Sequence, residues 1–167
     1  MEVFDILDRD GHPTGSVAPK GSALQDGQFY LGVHVYLCNA RGEYLLQKRV
    51  NTKAFLPGGW EVHMGHAMAG ETPVMALKRE ISEEIGIQVE DHEIESIMRL
   101  TWDEYHHIVD VFWICKDVAL DEVKLQESEV EAIKYVSKTE MLELVKRMTY
   151  RPEAYRKTVY HFLSNKG

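Results

Sequence analysis

Cysteine is scarce in this chain: Cys38 and Cys115 are the only two among 167 residues. Two isolated thiols cannot build a disulfide framework, and without CxxC spacing they cannot form a thiolate zinc centre. Both sit in apolar, strand-like surroundings and are expected to be buried free thiols, as suits a reducing cytoplasm. Positive charge is also short, with 19 lysines and arginines against 27 aspartates and glutamates and a net charge of −8. No face rich in lysine and arginine emerges, which argues against nucleic acid as a partner. No apolar run is long enough to cross a bilayer, so no membrane role is expected. The amino terminus, MEVFDILDRDG, has neither a basic start nor a sustained apolar stretch and does not read as a signal peptide. Repeats and low-complexity linkers are missing too. What remains is an ordinary globular composition, and residues 1–167 fit one domain with a sizeable core.

Against that background one stretch stands out. Residues 65–87 read GHAMAGETPVMALKREISEEIGI and concentrate Glu80, Glu83 and Glu84 within five positions. Thr72 is an N-cap type, Pro73 suits the first helical position, and Gly86 suits a left-handed stop. A helix is therefore predicted over about 73–85. Val74, Leu77, Ile81 and Ile85 form its apolar stripe, while Glu80, Glu83 and Glu84 share a face at i, i+3 and i+4. Ionised carboxylates so placed repel one another unless a cation lies among them. Converging hard oxygens suit Mg²⁺ or Mn²⁺. A solvated acidic face is the competing reading of E-x-x-E-E taken alone.

The wider spacing decides between the two. Gly65, Glu71 and the run Arg79-Glu80-Ile81-x-Glu83-Glu84-x-Gly86-Ile87 resemble the signature of the Nudix hydrolases at every fixed position. By average residue usage, a chance match falls below ~10⁻⁶. The resemblance implies an α/β (α+β) fold, a mixed sheet sandwiched between helices, with the box as a loop–helix–loop. It also implies metal-dependent hydrolysis of a diphosphate joined to another group, a nucleoside diphosphate derivative or a similar small molecule. Carried over to matching positions, Glu80 and Glu84 become the main metal ligands. Glu83 becomes a further or water-bridged ligand, or the base that takes the proton from water. Glu71 and Arg79 become an orienting ion pair, and the carbonyl of Met64 or Gly65 an added ligand.

Beyond the box, E-x-x-D-x-x-D-x-D-G-x-P-x-G near the amino terminus, Leu45-Leu46-Gln47-Lys48-Arg49 and Lys53-x-x-x-Pro57-Gly58-x-Trp60 look like the branch related to isopentenyl-diphosphate isomerase. The isomerase itself is disfavoured. Its cysteine is missing from Trp60-Glu61-Val62-His63-Met64-Gly65-His66, Tyr30 stands where one of its metal-binding histidines would, and the hydrolase box is complete. A sensing module that binds a nucleotide without cutting it is a further alternative, against which the intact box also argues.

Period and turn chemistry predict strands at 3–7, 29–37, 43–48, near Trp60, 93–102, 107–116 and 133–136. Residues 12–27 are expected to be loop, and 43–48 to pair back on 29–37 as a hairpin. Helices are expected at 139–147 and 152–163. The last carries Tyr155, Val159, Phe162 and Leu163 at helical spacing, for packing on the domain or, less simply, a homodimer contact. Lys48, Arg49 and Lys53 are candidates to hold a distal phosphate. His63 and His66 flank the box and could titrate near a metal. His34 fits a core or pocket wall, and His106 and His107 should face opposite ways. Glu129 is the candidate for an extra ligand from a distal loop. Trp102, Tyr105 and Trp113 fit the core better than a stack on a base.

Overall fold

The central strand β3 (Tyr30–Cys38) is apolar almost throughout and buried on both faces, so each side of it builds its own core. Val33, Val35 and Leu37 face one way, and Tyr36 and Cys38 the other. The computed structural model describes every residue from Met1 to Gly167. It contains nine strands and three α-helices. The remaining strands are β1 (Val3–Leu7), β2 (Pro13–Pro19), β4 (Tyr44–Arg49), β5 (Trp60–Glu61), β6 (His63–His66), β7 (Ile94–Trp102), β8 (His107–Cys115) and β9 (Val130–Val136). The helices are α1 (Pro73–Ile85), α2 (Lys138–Arg147) and α3 (Glu153–Asn165).

The main sheet runs β5-β4-β3-β8-β7, with β6 added to β3 and β9 to β4. β3 and β8 are parallel over nine residue pairs, and the other pairings are antiparallel, so the sheet is mixed. Helix α1 covers one face through Ala76, Leu77, Ile81 and Ile85, all fully buried. Each of the larger three contributes roughly 1.5–3 kcal/mol by leaving water. Helices α2 and α3 cover the other face through Met141, Val145, Tyr155, Val159 and Leu163. The sandwich expected from the sequence is the observed architecture. The stripe of α3 is spent on this core. No helix is long and apolar enough to cross a membrane.

Three expectations need correction. Residues 12–27 are not all loop, because Pro13–Pro19 forms β2 and closes a separate two-stranded sheet on β1. Its sequence, PTGSVAP, is small, mostly exposed and carries no apolar alternation to announce it. The hairpin of β3 and β4 is paired only at Cys38–Tyr44. Beyond that point the strands part, and the fork is filled by β6 on β3 and β5 on β4, while β9 takes the far edge of β4. Cys38 is buried, but Cys115 is exposed at the end of β8. Burial pushes the Cys38 thiol up to about 11.

Candidate active site

The fork in the sheet sets out the box. Residues opposite one another on paired strands share a face. Gly65 lies opposite Val33 and His63 opposite Val35, so both look toward α1, while His66, opposite Gly32, looks the other way. Helix α1 is framed as its sequence requires. The Thr72 hydroxyl accepts from the Met75 N–H at 3.2 Å, and Gly86 adopts φ 73° while its N–H closes on the Ser82 carbonyl. The carboxylates therefore come to the sheet on a rigid element.

Arg79 is the hub. Its Nε and one Nη2 hydrogen bond hold Glu71 in a two-pronged pair at 2.7 and 2.9 Å, and the second Nη2 bond reaches the His66 carbonyl at 2.8 Å. Nη1 donates to Glu80 at 3.0 Å and to Glu83 at 3.2 Å. Every N–H of the guanidinium is used, which a lysine could not match. Burial opposes ionisation of Glu71, yet the Arg79 and Met68 N–H bonds outweigh it and hold this carboxyl below its usual value. Glu80 goes the other way. Burial, reinforced by Glu84 and Glu83 against the pull of Arg79, raises it to about 7.

Gly65 permits this arrangement. A Cβ there would lie 2.2 Å from the Glu80 carboxyl carbon, so any side chain would displace the acid. Glu84, one turn further along α1, turns inward. Its Oε2 sits 3.7 Å from His63 Nδ1, the two side chains are 6% and 1% exposed, and neither Oε2 nor either ring nitrogen has a hydrogen-bond partner. Three of the box acids thus gather around Arg79, and the fourth is buried beside an imidazole.

These residues pass a test of fit for a divalent cation. A buried carboxylate oxygen without a partner is costly. Beside it, a second carboxylate has its ionisation opposed chiefly by burial and further by its acidic neighbours. A hard dication relieves both, and the donors are oxygens of the kind Mg²⁺ and Mn²⁺ take. A separate group, Asp8, Asp10 and His12, brings ligand-type atoms together on the exposed turn after β1. There Asp8 Oδ1 is already accepting from the Asp10 and His12 N–H groups, so the turn itself accounts for it.

The remaining candidates are dispersed. Lys48 pairs with Glu131 at 2.6 Å and Lys53 pairs with Glu129, while Arg49 Nε donates to the Phe55 carbonyl at 2.9 Å. Glu129 is therefore a lysine's partner here. His34 is buried, touching Tyr155 and Arg151. His106 caps the turn before β8 and meets the Gln28 carbonyl, whereas His107 meets His66, with their Nε2 atoms 2.7 Å apart. Because the Tyr105 carbonyl can only accept, His107 Nδ1 is the donor, and His66 then donates through Nε2. Burial keeps both rings neutral, His66 down to about 3. Trp102 and Trp113 pack against the core, the latter on Phe162, whereas Tyr105, expected in the core, lies exposed against Trp102 on the turn before β8.

Two features escaped the sequence. Lys20, which follows β2, is bonded to Glu2 at 2.6 Å across the end of the β1–β2 hairpin, and that bond holds its ammonium above the ordinary value. Glu61 and Arg151 form a pair at 2.9 Å with almost no exposure, bonded also to Tyr150 and His34. No spacing links positions 61 and 151, and nothing short of the folded chain would have matched them.

A profile of the NUDIX domain matches residues 29–158. An uncharacterised Nudix hydrolase of Listeria monocytogenes is 33% identical over 142 residues, covering 84% of this chain and 83% of that protein. An isopentenyl-diphosphate Delta-isomerase of Corynebacterium diphtheriae is 32% identical over 88 residues, covering 52% of this chain and 48% of that enzyme. A crystal structure of a Deinococcus radiodurans protein superimposes with a TM-score of 0.72 at 16% identity, covering 88% of this chain and 90% of the other. That last likeness is one of fold.

Proposed function

Because the chain belongs to the Nudix hydrolase family, we propose that it is a divalent-metal-dependent hydrolase acting on a diphosphate linkage. The substrate is a nucleoside diphosphate joined to another group, or a similar small organic diphosphate, and the whole chain serves as one domain. The observation that carries this reading is the state of the box acids. Arg79 gathers Glu71, Glu80 and Glu83, and Glu84 keeps an unpaired oxygen beside them.

Glu80 and Glu84 are the ligands of the cation, with Glu83 as a further ligand or the base. When bound, Mg²⁺ or Mn²⁺ supplies Lewis acidity to the phosphoryl oxygens and a water of lowered pKa. The protein's own part is positional. Arg79 and Glu71 lock the loop at His66 to the helix, Gly65 leaves room for the Glu80 carboxyl, and Glu83, the most exposed of the acids, is placed to hold or receive a proton from solvent. The net charge of −8 offers an anionic substrate no long-range attraction, so local cations matter. Lys53, Arg49 and Lys48 can exchange their present partners for phosphate oxygens. The unpaired thiols Cys38 and Cys115 suit a cytoplasmic setting.

The isomerase reading has less support. The segment from Trp60 to His66, which includes strand β6, carries no cysteine. The nearest thiol in register, Cys38, lies five positions along β3 from the partner of Gly65, roughly 16 Å away at strand rise. The deciding experiment is a phosphate-release screen with Mg²⁺ and Mn²⁺ over nucleoside diphosphate derivatives and prenyl and coenzyme diphosphates. Turnover that disappears with chelator supports the proposal. Binding without turnover across the panel would sink it in favour of a sensor.

A further inference from the structure

Glu84 and His63 stand out as a pair because each is buried and neither has found a partner. His63 lies on β6 opposite Val35 and faces α1, on which Glu84 sits. Both ring nitrogens of His63 and Oε2 of Glu84 are without a hydrogen bond. Their separation, 3.7 Å, exceeds the usual range of about 2.7–3.2 Å, so a shift of roughly 0.5–1 Å closes it. Orphaned polar atoms in a dry interior cost folding free energy, and a sequence needing only packing here would carry an aliphatic residue. Leu77, Ile81 and Ile85 fill the rest of that face in just this way.

We propose that His63 is a positioning residue for Glu84, its ring donating from Nδ1 to one lone pair of Glu84 Oε2 and so fixing the plane of the carboxylate, whose remaining lone pairs stay open to the cation. This rests on the reading of Glu84 as a metal ligand. A ligating carboxylate that can rotate must be ordered each time it binds, and a fixed hydrogen bond to its inner oxygen removes that cost. Such outer partners commonly change metal affinity by ~10–100-fold. The bond is local to Glu84. Arg79 serves Glu71, Glu80 and Glu83, and makes no bond to Glu84.

The test compares Mn²⁺ affinity, read as free Mn²⁺ by electron paramagnetic resonance, with thermal unfolding of the metal-free proteins. His63→Leu keeps bulk but loses the donor, and His63→Asn keeps a donor near the position of Nδ1 but leaves a void. A positioning role predicts Mn²⁺ binding ~10–100-fold weaker for Leu and within about threefold of the parent for Asn, while the melting temperature of Asn falls and that of Leu does not. A packing role predicts unchanged affinity in both variants. Parent-like Mn²⁺ affinity in His63→Leu, alongside weakened binding in Glu84→Gln, overturns the positioning role and leaves the metal assignment standing. A nitrogen directly coupled to bound Mn²⁺ and lost in His63→Leu also overturns it, by making His63 a ligand. Parent-like affinity in Glu84→Gln instead removes the underlying metal assignment.

Discussion

Around Arg79 every donor has an acceptor, whereas one helical turn away, at Glu84 and His63, none of the inner polar atoms has a partner. Both regions lie between α1 and β6, and both are largely sheltered from water. The difference lies in what each has to do. A saturated network has one low-energy arrangement and so fixes the loop, the helix and three carboxylates relative to each other. An unsaturated pair keeps chemical capacity that the fold does not consume, at some expense in stability. A site that must hold a cation needs both, a frame that does not move and oxygens not already spent.

Breaking the unsaturated side should matter most for chemistry. Glu84→Gln is expected to lower turnover at least ~10²-fold with Mg²⁺ while circular dichroism and melting temperature stay near the parent values. Unchanged turnover would show that the inner acid is not part of the reaction. Breaking the saturated side should strike stability first. In Arg79→Lys the charge survives but the two-pronged bond to Glu71 and the bond to the His66 carbonyl do not, leaving sheltered acceptors unpaired. Denaturant unfolding should report a loss of about 2–3 kcal/mol, with turnover falling as the loop loosens.

The third way to sharpen the contrast uses pH. The carboxyl of Glu80 sits at about 7 in the folded protein against an ordinary 4.5, chiefly through burial. A raised acid favours the protonated folded state, so its contribution is best below about 4.5 and is lost as pH rises through about 7. Metal-free protein should therefore lose roughly 1–3 kcal/mol between pH 5 and 8 relative to Glu80→Gln, whose profile lacks this component. Equal slopes in the two proteins would contradict the placement of Glu80. The smallest effect is expected from Gly65→Ala. The new methyl meets the end of a flexible side chain rather than backbone, so stability should change by less than ~1 kcal/mol. The displaced Glu80 carboxyl should nonetheless cost about tenfold in turnover, measured under saturating Mg²⁺.

The clearest parts of the chain were those in which local chemistry and long-range packing agree. Helix α1 runs Pro73–Ile85, its cap is Thr72 and its stop Gly86, as its own residues dictate. Strands β1, β3, β7 and β8 announce themselves through β-branched and aromatic residues, and α2 and α3 through their apolar periodicity. Strand β2 was invisible because its small, exposed residues gain order only from lying beside β1. Strand β9 starts earlier than expected because Val130, nearly alone as a signal, is buried against the partly buried Arg49 strand end. Cys115 looks like a core thiol in sequence, yet the strand ends there and leaves it in solvent.

For the site, spacing on a helix dictated that Glu80, Glu83 and Glu84 rise from one side of α1, because 3.6 residues per turn is a local constant. It could not dictate that Glu84 would turn inward to His63, or that Arg79 would tie three acids to the carbonyl of a distant strand. Nor could it join Lys20 to Glu2, or Glu61 to Arg151. Those outcomes depend on how β6 wedges into the fork between β3 and β4 and on how α1 settles upon it. The sequence alone therefore determined the family, the helix and its acids, since these follow from short-range periodicity. Only the tertiary structure decided which acid is paired and which is left bare, since that turns on contacts between segments whose separation along the chain carries no signal.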